Sequence, residues 1–101
     1  MAMEKEALRD LANTLADIKS GEQAHDFLLG ILTPRERRTL GLRWQLVKLL
    51  RQGMTQRAIA SELGVSLCKI TRGSRELKFG PKGFRSVVEK AARTRTRKKS
   101  S

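Results

Sequence analysis

Apolar residues return along this chain with the period of a helix. Leu8, Leu11, Leu15 and Ile18 fall at steps of 3, 4 and 3, one stripe on a helix over residues 4–19. Ala7, Ala12 and Ala16 add helix propensity, and most charged side chains fall off the stripe. Such a stripe packs on its own domain or on a partner chain. Ser20-Gly21 breaks the pattern, and a short helix is expected at about 22–31, with Phe27, Leu28, Ile31 and Leu32 apolar. Thr33-Pro34-Arg35-Glu36 then reads as a helix start: a capping threonine, proline at the first helical position, and a glutamate placed to close a capping box. That helix should run to about Gln52. Leu40, Trp44, Val47 and Leu50 form its stripe, Leu46 and Leu49 lie beside it, and Gly53 ends it. Gly41 sits inside it, where close approach of another helix would account for a residue that weakens the backbone.

Two shorter helices follow, at about 56–62 and 67–77, capped by Thr55 and Ser66 and joined at Gly64-Val65. After a Phe79–Gly83 loop, Phe84, Val87, Val88 and Ala91 predict a last helix at about 83–92. Residues 93–101 carry Arg93, Arg95, Arg97, Lys98 and Lys99 without a large apolar residue, so they are expected to form a basic disordered tail. The fold class is therefore all-α: one small multi-helix domain over 1–92, then the tail.

Residues 56–74 have the spacing of a helix-turn-helix. Counted from Gln56, Ala60 is fifth, where the helices approach too closely for a larger side chain. Gly64 is ninth, where the turn needs a positive φ. Ile70 is fifteenth, and packs the angle between the helices with Ile59, Leu63 and Val65. In this geometry the second helix enters the major groove by its N-terminal end, and the first crosses the backbone. Ser66, Leu67, Cys68, Lys69, Thr71 and Arg72 then lie near DNA, with Gln56 and Arg57 at the start of the first helix. Arg57 has the two-pronged donor set that suits a guanine edge. Lys69 suits phosphate or base. Leu67 or Cys68 suits a thymine methyl, and Cys68 equally suits packing.

Charge supports a polyanionic partner. The net charge is +12. Residues 1–32 hold three basic and six acidic side chains, and 33–101 hold 19 basic and four acidic, balances of −3 and +15. A basic half this dense points to nucleic acid, with an anionic membrane surface as the alternative. No apolar run approaches the ~20 residues of a membrane span, so no spanning segment is expected, and of the two polyanions nucleic acid, not a membrane, is the expected partner. The single cysteine, Cys68, cannot form an internal disulfide and fits a reducing, cytoplasmic setting. His25 has no ligand-type cluster around it, and no metal site is expected. Neither paired carboxylates nor a nucleophile–base set nor a phosphate-cradling glycine loop is present, so the chain is not expected to be an enzyme.

Further segments carry a resemblance. Leu32-Thr33-Pro34-Arg35-Glu36-Arg37, Leu40-Gly41-x-Arg43, Met54-Thr55-Gln56-Arg57, Glu62-Leu63-Gly64 and Ile70-Thr71-Arg72-Gly73-Ser74-x-x-Leu77-Lys78 together resemble the tryptophan repressor family of bacterial trp operons, over roughly residues 28–90. Trp repressors are themselves among the proteins that define the docking geometry described above. The resemblance implies an intertwined homodimer that binds a near-palindromic double-stranded DNA operator. It implies repression of tryptophan biosynthesis genes, with L-tryptophan as a non-catalytic corepressor. The indole would lie between Arg43 and Arg72, which otherwise read as plain phosphate contacts. Gly73 would leave room beside it, and Thr33 with the carbonyls near Gly30 and Leu32 would hold the polar end. Lys78 joins Gln56, Arg57, Ser66, Leu67, Cys68, Lys69 and Thr71 as a DNA contact on the same ground.

The chain also departs from that family. Glu76 stands where the family has a small serine near the ligand's amino group. Gly30 replaces a leucine, Lys69 a threonine that touches DNA, and Ala60 a lysine. Leu77-Lys78-Phe79-Gly80-x-x-Gly83-Phe84, with Trp44 and Gln45, resembles a second branch of the superfamily whose ligand is not established. The alternative implied is a helix-turn-helix regulator of the same superfamily with a different effector or none.

Overall fold

The computed structural model describes the backbone of residues 2–99 and the side chains of 3–93. Among these residues the chain is all-helical: α1 (Ala2–Ala16), α2 (Gly21–Ile31), α3 (Pro34–Arg51), α4 (Gln56–Leu63), α5 (Leu67–Phe79) and α6 (Lys82–Lys99). It divides into two compact units, Met1–Arg37 and Arg38–Ser101.

In the first unit, local chemistry sets the ends of the helices. Ser20 caps α2, its hydroxyl accepting from Gln23 N–H at 3.0 Å. The capping box forms as expected: Glu36 N–H donates to Thr33 Oγ1 at 3.2 Å, and Thr33 N–H donates to Glu36 Oε1 at 2.9 Å. Packing is another matter. No described residue of this unit is buried. Leu8 is 61% exposed and Ile31 53%, and Leu15, Leu28 and Leu29 are exposed as well.

The second unit holds the core. Leu46 and Val47 from α3, Ile59 from α4, Ile70 from α5 and Val88 from α6 are buried, and Leu50, Leu63, Val65, Leu77 and Phe84 pack around them. Burying each such side chain contributes roughly 1.5–3 kcal/mol. Gly64 takes φ 66° at the α4–α5 turn and Gly53 takes φ 95° after α3, both left-handed as expected. Arg51 Nη2 and Arg93 Nη1 meet Glu89 Oε2 at 3.3 and 3.5 Å, and Gln52 Nε2 donates to the Ala92 carbonyl at 3.3 Å. The Arg51 and Gln52 contacts tie the end of α3 to α6, while Arg93–Glu89 lies within α6.

Three expectations change. The α3 stripe is covered only at its C-terminal half, and Leu40 and Trp44 remain exposed, with Lys48 Nζ 5.7 Å from the Trp44 ring centre. A Cβ on Gly41 would meet nothing within 4 Å, so no helix of the described chain makes the close approach expected there. The last helix does not end at 92 but continues to Lys99. Arginine and lysine are good helix formers, and no glycine or proline follows Gly83 to stop them, although Thr94 and Thr96 favour helix less. Of the expected tail, residues 100 and 101 lie outside the described residues.

Candidate nucleic-acid interface and ligand pocket

The α4–α5 pair is a helix-turn-helix built by its caps. Thr55 Oγ1 accepts from Ala58 N–H at 3.1 Å, Ser66 Oγ accepts from Lys69 N–H at 3.4 Å, and Gly64 N–H donates to the Ala60 carbonyl at 2.9 Å. Each cap meets free N–H groups of a first turn, which fixes where both helices begin. Ile59 and Ile70 are fully buried between the helices and hold their crossing, with Leu63 and Val65 half-buried beside them.

Because the inner faces are spent on this core, the outer faces are free. All eight residues expected at DNA are exposed: Gln56, Arg57, Ser66, Leu67, Cys68, Lys69, Thr71 and Lys78. Leu67 is 57% exposed, a large apolar side chain at the first turn of the helix expected to read bases. Between Thr55 and Arg75 the only acid is Glu62, so little on this surface repels a phosphate backbone.

At about 100° per residue, α5 has distinct faces. Ile70, Gly73 and Leu77 point inward. Leu67, Thr71, Ser74 and Lys78 line one flank, and Lys69, Arg72 and Glu76 line the other. Gly73 is buried, and a Cβ there would lie 2.5 Å from Leu46 Cδ2 and 3.5 Å from both Leu50 Cδ1 and Val47 Cγ1. The missing side chain lets α5 touch α3. In the direction a Gly73 side chain would take, the space is filled by Leu46. Arg43 lies three residues before Leu46, on the same face of α3, and Arg72 lies just before Gly73. Both arginines are thus near this contact along their helices, and both are exposed.

The remaining ligand candidates divide between the units. Glu76 is exposed, and its carboxylate Oε1 lies 2.7 Å from where a Gly80 Cβ would stand, so it points along α5 toward the C-terminal cap. In the first unit, the Thr33 hydroxyl accepts within its capping box, the Leu32 carbonyl accepts from Arg37 Nε at 3.5 Å, and Gly30 is exposed with open space around it.

One feature was missed by sequence reasoning. A cleft of about 340 Å³ lies between α3, α5 and α6, lined by Leu50, Arg51, Ser74, Leu77, Lys78, Arg85 and Glu89. The spacing of Ser74, Leu77 and Lys78 places them on adjoining faces of α5, but nothing local links them to Arg51 or Arg85. Among the described residues no group of three or more His, Cys, Asp or Glu could hold a metal ion, and no helix is long and apolar enough to cross a membrane.

The profile of the family described as Trp repressor protein matches residues 6–92. A Trp operon repressor homolog of Chlamydia caviae is 38% identical over 81 residues, covering 79% of this chain and 80% of that protein. The uncharacterized protein YerC of Bacillus subtilis is 28% identical over 93 residues, 92% of this chain and 89% of its own. Among solved structures, a Staphylococcus aureus protein assigned provisionally to the Trp repressors matches with a TM-score of 0.74 at 28% identity, covering 90% of this chain and 94% of that one.

Proposed function

The chain belongs to the Trp repressor family, and we propose that it is a DNA-binding transcriptional repressor of tryptophan biosynthesis genes with L-tryptophan as corepressor. The observation that carries the reading is the Leu46–Gly73 contact between α3 and α5, with the exposed Arg43 one turn before Leu46 and the exposed Arg72 next to Gly73, in a chain that matches the family over most of its length. Guanidinium planes stack on aromatic faces, and an arginine pairs a carboxylate by two hydrogen bonds. An amino acid with an indole side chain offers both groups. A ligand held there braces α5 against α3, fixes the angle at which Leu67–Thr71 meet the groove, and raises DNA affinity by favouring the reading pose. The Thr33 hydroxyl and the carbonyls of Gly30 and Leu32 belong to the same reading as holders of the ligand's polar end, by resemblance. Gly73 belongs to it through the α3 contact.

A homodimer on a near-palindromic operator is part of this proposal. The apolar side chains of α1, α2 and the first half of α3 that stay exposed support it: a chain with this much uncovered leucine is stabilised by a second copy.

A second reading is favoured by the YerC relationship, which spans more of the chain than the Chlamydia match does, and by Glu76, which stands where the resemblance has a small serine. In that reading the regulator answers to a different effector or to none. Calorimetric titration with L-tryptophan, with indole-3-propionate and arginine as controls, separates the two. Saturable heat at one ligand per chain supports the corepressor, and absence of heat leaves the second reading.

A further inference from the structure

The cleft between α3, α5 and α6 lies on the flank of α5 opposite Arg72 and Glu76, with the inward row of Ile70, Gly73 and Leu77 between the two flanks. It therefore opens on a different flank of α5 from the arginine proposed to hold tryptophan, with Leu50 lying between the cleft and Gly73. Its floor is Leu50 and Leu77, both half-buried and packed on the core. Its rim carries Arg51, Lys78 and Arg85 against Glu89, so the lining is two charges positive (three cations less one carboxylate). Those cations are not equivalent. Arg51 is held by Glu89, which also takes Arg93 on the same oxygen. Lys78 and Arg85 are exposed and have no ion-pair partner among the described residues. Ser74 adds a hydroxyl from α5.

An apolar floor under two unpaired cations and a hydroxyl is the chemistry that holds an amphipathic anion. We propose that this cleft is a second ligand site, taking a small organic anion with an apolar body, either a carboxylate or a phosphate monoester. The anionic head meets Lys78, Arg85 and Ser74, and the body covers Leu50 and Leu77. A bare phosphate, free or in a DNA backbone, uses the rim and leaves the floor uncovered. The concave shape and the volume of about 340 Å³ favour the organic anion.

The test is a titration of the full chain with phenyl phosphate, followed by amide chemical shifts, with inorganic phosphate and benzylamine as controls. Saturable shifts at Ser74, Leu77 and Lys78 are expected, with phenyl phosphate binding more tightly than inorganic phosphate and benzylamine not binding. Arg85→Ala, an exposed change that leaves the core intact, should weaken phenyl phosphate about tenfold through loss of a charged hydrogen bond. Inorganic phosphate binding as tightly as phenyl phosphate would show that the floor contributes nothing and overturn the proposal. So would shifts centred on Arg43 and Arg72, an Arg85→Ala variant with unchanged affinity, or the absence of saturation.

Discussion

Replacing Gly73 by alanine tests the contact on which the proposed ligand site stands. Two opposed effects follow from one added methyl group. In the middle of a helix, glycine to alanine stabilises by up to about 1 kcal/mol, because the unfolded backbone loses freedom. At Gly73 the new Cβ would lie 2.5 Å from Leu46 Cδ2, a separation that real atoms do not tolerate. Leu46 is only 4% exposed and sits among Val47, Ile59, Ile70 and Val88, so it cannot swing into solvent. Overpacking of this kind costs about 1–3 kcal/mol. The net expectation is a loss of roughly 0–2 kcal/mol, which for a domain of this size lowers Tm by several degrees. Gly41→Ala is the internal comparison. It is also mid-helix, but nothing lies within 4 Å of its Cβ position, so the propensity gain should appear undiluted in the isolated chain. Urea unfolding of both variants at equal protein concentration reads the difference from the midpoints, provided the m-values agree. If Gly73→Ala stabilises as much as Gly41→Ala, α5 does not press on α3 at this point. The bracing mechanism proposed for the ligand then loses its structural basis.

Other substitutions separate the remaining roles. Thr55→Ala removes the oxygen that accepts from Ala58 N–H and should cost about 1 kcal/mol of unfolding free energy; an unchanged urea midpoint would mean that water replaces the cap at no loss. Arg57→Ala should weaken specific DNA binding by about 1–3 kcal/mol at one base pair, and equal weakening across all sequences in a mobility-shift series would reassign it to phosphate. Arg72→Ala should abolish the heat of tryptophan binding while leaving the helical circular dichroism intact, since Arg72 is exposed; retained tryptophan binding would refute its place in the pocket.

Much of the candidate site was legible because its signals are local. A threonine, a proline and a glutamate within one turn at Thr33–Glu36 produce the observed reciprocal hydrogen bonds without help from the rest of the chain. The same holds for Thr55 and Ser66 as caps and for Gly64 in a left-handed turn. Recurrence of Ile59 and Ile70 at helix-turn-helix spacing placed the core between α4 and α5, and exposure of Arg57, Lys69 and Thr71 followed as the outer side of that packing. Charge along residues 93–101 suggests a tail, whereas α6 runs on to Lys99.

What sequence alone determined about this protein is the set of helices, their starts and turns, and which face of the helix-turn-helix is charged. These depend on residues within a turn or two of one another, whose spacing is set by covalent geometry. Tertiary structure decided what each glycine is for and which distant side chains share a site. Gly41 and Gly73 look alike in the sequence, yet one faces open space and the other admits Leu46. Arg51, Lys78 and Arg85 come from three helices and meet only because Leu46, Ile70 and Val88 pull those helices onto one core. Hydrophobic burial is non-directional, so a helical stripe shows that a face will be covered but not what covers it. The partner is settled by whichever contacts fill the core best, and those lie far apart along the chain.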